Sequence, residues 1–249
     1  MEIKRRNFQG VLNILSFNRH FYVYGLITLV LIIGSRHIIS WPDSLYLVVI
    51  FAFIYGLIMP LLVSAYVYDF SGFYTFDWLK KMNIEDTKDN LNLNINAGFD
   101  ETSFIIAKLL PLSKLQVYDF YNASQHTEPA IIRARKVSLV YPNTRQINSN
   151  SIPLPDHSVD NVFLISAIHE IRRHDEKLQF LKECRRVCKP KGNVIMVEHL
   201  RDFPNFVAFT IGFTHFFSKA IWKKAFEEAG FNSIKETKFT PFMSIFHCN

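Results

Sequence analysis

Residues 151–200, SIPLPDHSVDNVFLISAIHEIRRHDEKLQFLKECRRVCKPKGNVIMVEHL, restrict this chain to very few folds. Residues 159–165 (VDNVFLI) are a short, nearly continuous apolar run, the pattern of a strand covered on both faces of a parallel sheet. Residues 174–188 then take a helical period. Leu178, Leu181, Cys184, Val187 and Cys188 share one face, with Lys177, Lys182, Glu183 and Arg186 on the other. Pro190-Lys191-Gly192 is expected to stop that helix, and residues 193–197 read as a second buried strand. Two parallel strands joined in this way need a crossover, which is almost always right-handed. The fold class is therefore α/β.

With 249 residues, 49% of them apolar, the chain has material for one domain and an appendage. Up to Asp43, five basic residues (Lys4, Arg5, Arg6, Arg19 and Arg36) stand against Glu2 and Asp43, half of the net charge of +6. The rest is spread without a basic stripe, so nucleic acid is not an expected partner. Three cysteines make no disulfide framework, and Cys184 and Cys188 lie on one apolar helix face, where packing is their simplest role. That usage suits a reducing, cytoplasmic setting. No HxxxH or CxxC-type spacing calls for a metal, and none is expected.

Residues 21–35 and 44–68 carry no charge. The second run is long enough to cross a hydrocarbon core of about 30 Å as a helix. The first becomes adequate over residues 21–39 if Arg36 and His37 snorkel at its far end. Residues 1–68 are thus expected to form a membrane hairpin, turning at Trp41-Pro42, with Lys4, Arg5, Arg6 and Arg19 holding the N-terminus in the cytoplasm. This makes a multi-pass protein of the cytoplasmic (inner) membrane, both termini inside. Buried helices of a larger soluble core are the competing account. Residues 69–90 are expected to be an aromatic interfacial segment and polar linker, and residues 91–249 the globular domain.

The order of residues in 151–200 also resembles a family. Ile152-Pro153, Pro155-Asp156, Ser158, Asp160 and the run Arg186-Val187 to Lys189-Pro190-Lys191-Gly192 are similar to the fourth strand, helix and fifth strand of class I S-adenosylmethionine (SAM)-dependent methyltransferases. The resemblance implies a seven-stranded Rossmann-like sheet, mostly parallel with an antiparallel C-terminal end, preceded here by two transmembrane helices. It implies SAM as cofactor. Residues 91–95 and 115–118 become the first two strands, with Asn96-Ala97-Gly98 in place of the family's glycine loop and only Gly98 kept of its usual three glycines. Asp119 stands where the family holds the ribose, Phe120 and the following Tyr121 offer a ring to the adenine, and Asn148-Ser149 fall where an adenine amino contact is made. Ser166 ends strand four beside the cofactor.

Ligands of open α/β sheets sit outside the carboxyl ends of strands. His169 and Glu170 follow strand four at that end, and His is the side chain best suited to proton transfer near neutral pH. A helix-start pair with purely structural bonds accounts for them equally well. Glu198 and His199 end strand five and are second candidates, facing the acceptor. His126-Thr127-Glu128 is assigned no chemistry. Residues 203–222 (FPNFVAFTIGFTHFFSKAIW) concentrate aromatics where the family carries substrate-recognition insertions. Phe209, Phe213 and Phe216, with Tyr74 opposite, are expected to line an apolar passage to His169; a structural cap is the plainer account.

The leading expectation is a membrane-anchored SAM-dependent methyltransferase whose acceptor is a small lipophilic molecule, quinone-like, phenolic or a polyene lipid. The alternative is a non-catalytic membrane-anchored protein that keeps the fold and has lost SAM binding.

Overall fold

The computed structural model describes residues 5–249. Lys4, one of the basic residues invoked for topology, lies outside them. The chain opens with α1 (Gln9–Phe17), α2 (Arg19–Ser35) and α3 (Asp43–Ala65). A π-turn at Tyr66–Phe70, a 3-10 turn at Phe73–Thr75 and the short α4 (Asp77–Lys80) lead into the sheet domain. There follow β1 (Leu91–Asn96), α5 (Thr102–Leu109), β2 (Lys114–Asp119), α6 (Pro129–Val137), β3 (Arg145–Gln146) and β4 (Val159–Ile165). A 3-10 turn at Ile168–Glu170 precedes α7 (His174–Val187) and β5 (Cys188–His199). α8 (Phe203–Phe209), a 3-10 segment at Thr210–His215, α9 (Lys219–Glu228), β6 (Ile234–Lys238) and β7 (Met243–Cys248) complete the chain.

The seven strands run in the order β3-β2-β1-β4-β5-β7-β6. The first five pair in parallel, whereas β7 is antiparallel to both β5 and β6. Alternate side chains of each strand enter opposite layers. Val162 and Leu164 join Phe180, Leu181, Cys184, Trp222 and Phe226 under α7 and α9. Phe163 and Ile165 join Phe73, Phe76, Trp78 and Ile106 on the other face. This corrects the reading of residues 69–90 as interfacial: Phe73, Phe76 and Trp78 are buried under the sheet, while Tyr66 and Phe70 stay exposed. Continuous apolar strands with double coverage are what the sequence pattern required.

Pro190-Lys191-Gly192 does not separate helix from strand. α7 ends at Val187 and β5 starts at Cys188, the proline and glycine being taken up where the β4–β5 register slips between Val159 and Asn161. Next to this irregularity an asparagine ladder crosses the sheet. Asn161 Nδ2 donates to Asn92 Oδ1 at 2.8 Å, Asn193 Nδ2 donates to Asn161 Oδ1 at 2.8 Å, and His247 Nε2 lies 2.6 Å from Asn193 Oδ1. A slip of one residue would strand these buried groups, so the ladder fixes register.

The N-terminal segment departs from the expected hairpin. α3 belongs to a helical stretch long and apolar enough to cross a membrane, with a mean hydropathy of 2.6. α2 is only 17 residues, about 26 Å at 1.5 Å per residue, and falls short by itself. α1 and α2 reach the required length only as a pair bent by 74°. One helix, not two, therefore meets the criterion among the described residues. α1 is not in a free tail either. Its Phe17 packs in the sheet domain's core, and Asp69 caps its first turn, accepting from the Gly10 and Val11 amides at 2.7 and 3.0 Å. Gly10 permits this close approach, since a Cβ there would meet Tyr68. Arg5 pairs with Glu101 and lies 3.5 Å from the Tyr74 ring centre, so it is part of the domain rather than a free cytoplasmic charge.

Candidate active site at the carboxyl end of the sheet

The strand ends of β1, β2 and β4 meet on one side of the sheet and frame a trough. Gly98 sits in the turn after β1 at φ 84°, a conformation glycine adopts without penalty, and its amide donates to Asn96 Oδ1 at 2.7 Å. Asp119 ends β2, nearly buried, with Oδ1 accepting from the Tyr121 amide at 2.8 Å. A cavity of about 460 Å³ opens beside it, lined in part by Phe120, Tyr121, Asn148 and Ser149. Phe120 is mostly sunk in the core, so Tyr121 offers the more accessible ring. Asn148 Oδ1 accepts from the Asn150 amide at 2.9 Å, and Ser149 Oγ donates to Glu176 at 2.6 Å. Ser166 turns the chain after β4 at φ 48°.

These residues fit the adenosine end of SAM. The cavity has room for an adenine, and Asn96 Nδ2 and Ser166 Oγ are buried at the strand ends without hydrogen-bond partners. Each such buried polar atom calls for a partner, and polar atoms of a ligand in the trough would supply one. One side chain stands across the trough. Arg135 of α6 donates to Asp119 Oδ2 at 2.7 Å and to the Ala97 carbonyl at 3.1 Å, and lies 4.0 Å from the Tyr121 ring centre. A Cβ on Gly98 would fall on its guanidinium. The face of the loop that the resemblance reserves for the cofactor is thus covered by Arg135, which nothing in the sequence had marked.

A histidine cluster follows β4 at the same end of the sheet. His169 Nδ1 donates to Glu198 Oε2 at 2.8 Å, and the other Glu198 oxygen accepts the Ala167 amide at 3.1 Å. Glu198, expected to face the acceptor, is therefore the carboxylate that orients His169. Glu170 Oε1 stands 3.5 Å from Nε2 on the opposite side of the ring. Burial opposes the charged imidazole, but the Glu198 charge and the bonds to Glu170 and Glu198 outweigh it and hold its pKa well above the ordinary range.

His199 is a packed residue rather than an acceptor contact. Its Nδ1 donates to the Phe242 carbonyl at 2.9 Å and its Nε2 accepts from the Tyr68 hydroxyl at 2.8 Å. Burial lowers its pKa to about 4, so the ring is neutral. It also joins the two aromatic concentrations. Tyr68 lies 6.0 Å from it and Phe209 5.2 Å between ring centres, while Phe216 stacks on it at 4.9 Å. Tyr74 adjoins Tyr68 at 6.3 Å, His215 adjoins Phe216 at 5.9 Å, and His169 adjoins His215 at 5.2 Å. A continuous file of rings thus connects Tyr74 to His169. Phe213 is outside this file and packs on Phe206 at 5.1 Å.

Several site residues had no signal in the sequence. His215 Nδ1 pairs with Glu128 at 3.1 Å, which holds the Glu128 carboxyl below its usual range. Arg172 Nη1 donates to the carbonyls of His169 and His215 at 3.2 and 2.7 Å. Lys177 is 1% exposed, its ammonium 3.1 Å from the Phe217 ring centre, and burial lowers its pKa to about 7. These come from the residue before α6, the loop before α7, α7 itself and the segment after α8, and only the folded sheet brings them together.

Comparison with known proteins agrees with the topology. Residues 107–196 match the family model described as "Methyltransferase domain". A SAM-dependent methyltransferase from Aquifex aeolicus superposes with a TM-score of 0.50 at 20% identity, over 72% of this chain and 93% of that one. A putative O-methyltransferase from Nostoc punctiforme superposes at 0.52 and 14% identity, over 78% of this chain and 59% of the other. In sequence, a highly reducing polyketide synthase of Pyrenophora dematioidea is 32% identical over 90 residues, 30% of this chain. The chain spans only 3% of that synthase's length. The fold is that of the class I SAM-dependent methyltransferases. Within it, residues 107–196 carry the methyltransferase-domain sequence pattern, from α5 through most of β5.

Proposed function

We propose that this chain is a SAM-dependent methyltransferase for a small lipophilic acceptor, quinone-like, phenolic or a polyene lipid, held at the cytoplasmic face of the inner membrane by α3. One observation carries the reading. Tyr55 of α3 donates to the Val207 carbonyl of α8 at 2.6 Å, so the insertion after β5 rests on the apolar helix. That insertion exposes Phe203, Phe206 and Ile211, while its Phe216 and His215 lead inward to His169. The outward surface of α2 and α3 is apolar too, with Val30, Leu31, Leu47, Val48, Phe51 and Leu62 all exposed. A contiguous exposed apolar face of that kind marks a membrane or partner surface, and each acceptor methylene buried against it contributes about 0.8 kcal/mol.

Asp119, Asn148, Ser149 and Tyr121 would hold the adenosine part of the cofactor, and Asn96 and Ser166 would meet its nearer atoms. SAM supplies an electrophilic methyl group when bound. His169, once it has released the second ring proton that the neighbouring carboxylates favour, accepts the acceptor's proton through Nε2, its Nδ1–H fixed on Glu198. The carboxylates that retain its proton also make the neutral ring a stronger base. α2 runs back along α3 and returns the chain to α1 on the domain.

The non-catalytic alternative is favoured by Arg135, which takes up Asp119 and covers Gly98. One experiment separates the two. Membranes carrying the chain are incubated with methyl-labelled SAM and extracted with organic solvent. Label should enter the organic phase and fall at least about tenfold with Asp119→Ala when SAM is limiting. Absence of organic label, together with no SAM binding by calorimetry, would establish the non-catalytic reading.

A further inference from the structure

His169, Glu170 and His215 each place one potential ligand atom within 4.8 Å of the others. The set is assembled from the 3-10 turn after β4 and the segment after α8. We propose that it binds one divalent transition-metal ion of the kind taken by imidazole and carboxylate together, such as Zn2+ or Fe2+. The inference goes beyond the transfer reading and does not need it.

The surrounding bonds make the case. A carboxylate can only accept, so the 2.8 Å contact of His169 Nδ1 with Glu198 puts the hydrogen on Nδ1. His215 Nδ1 stands 3.1 Å from Glu128, an ion-pair contact that favours the hydrogen on Nδ1 of the second ring. In the singly protonated tautomers this favours, each Nε2 carries a lone pair, and His169 gives up its second ring proton when the ion binds. Carboxylate–histidine pairs that fix the tautomer and raise ligand basicity are the usual outer support of metal-bound imidazoles. Here two such pairs, from different parts of the chain, meet beside Glu170. Arg172 ties the backbones of both histidines with one guanidinium nitrogen, which sets the spacing before any ion arrives. Glu128, Glu170 and Glu198 together outweigh the Arg172 charge, so the site favours a cation. Three protein ligands leave a coordination position open, as in catalytic rather than closed structural sites. His169 cannot coordinate an ion and accept a proton through the same Nε2, so ion-free and loaded proteins are distinct chemical states.

The test uses the full chain in detergent micelles, stripped with chelator and titrated with Zn2+ by calorimetry and with Co2+ by visible absorption. One saturable equivalent per chain is expected, with a tetrahedral or five-coordinate Co2+ spectrum. Glu170→Gln and His215→Ala should each weaken binding by at least about tenfold, and Glu128→Gln, which leaves all three ligands in place, by about tenfold. His174→Ala, an exposed histidine paired with Glu228, should leave it unchanged. Thermal unfolding of each ion-free variant shows that the fold is retained. No saturable equivalent in the wild type, or equal binding in Glu170→Gln and His215→Ala, would overturn the site. SAM titration on the same samples reports the transfer reading separately.

Discussion

Arg135 and Asp119 form an ion pair, 2.7 Å from Nη1 to Oδ2, across the trough where the fold would seat a ribose. The pair ties α6 to the end of β2 and leaves Asp119 no second free oxygen, since Oδ1 takes the Tyr121 amide. A SAM ribose seated here would therefore compete with Arg135 for one carboxylate. Arg135→Ala should tighten SAM binding by about 0.5–1.5 kcal/mol, a modest gain because the arginine is partly solvated. Asp119→Ala should weaken it by roughly 1.5–3 kcal/mol, more than tenfold. Calorimetric titration reads both. Weaker binding in Arg135→Ala would show that the guanidinium contributes a contact to the cofactor instead.

His199 makes the fold less stable in acid. Its folded pKa is about 4, below an unfolded value of about 6.5. The folded state then binds fewer protons, so the contribution is complete above pH 6.5 and lost as pH falls through 4. The full difference is on the order of 3 kcal/mol. Denaturant unfolding at a series of pH values should show wild type losing more stability over this window than His199→Asn, which cannot take up the proton.

Phe51 of α3 is 68% exposed in the isolated chain. If that surface faces lipid, Phe51→Arg places a charge in the hydrocarbon core at a cost of about 2.5–3.5 kcal/mol. On a water-exposed helix the same change should stay within about 0.5 kcal/mol. Flotation of expressed protein on a density gradient measures the difference. A variant that floats with membranes as completely as wild type would argue against insertion of α3.

Asn161→Ala removes the middle of the asparagine ladder and leaves Asn92 Oδ1 and Asn193 Nδ2 without their partners in the sheet. The expected loss is about 2–3 kcal/mol, read as a lower denaturation midpoint at unchanged slope. Full stability of the variant would mean that neighbouring groups re-pair and that register is set by the apolar layers alone.

The sequence by itself determined the sheet and its surroundings. The apolar run of β4, the helical period of α7 and the second buried strand are local patterns, because each side chain's burial follows from period two or period 3.6 along one segment. Strand ends follow from the same patterns, which is why Asp119, Ser166 and His169 could be located at one edge of the sheet. The boundary at Pro190-Lys191-Gly192 was less legible, since a register slip absorbed residues that read locally as a stop.

Tertiary structure alone decided which groups meet at that edge. Glu198 rather than Glu170 orients His169, because β5 lies beside β4 and brings its last residues to the histidine. Arg135 covers Gly98, Glu128 reaches His215, and Tyr68 meets His199, each pair joined across elements distant in the chain. The aromatic run after α3 could equally have served an interface. It became core because the sheet's second face offered Phe163, Ile165, Ile195 and Val197 to be covered. Local sequence fixes what each segment can bury, whereas the partner it buries against is a property of packing, where distance along the chain carries no information.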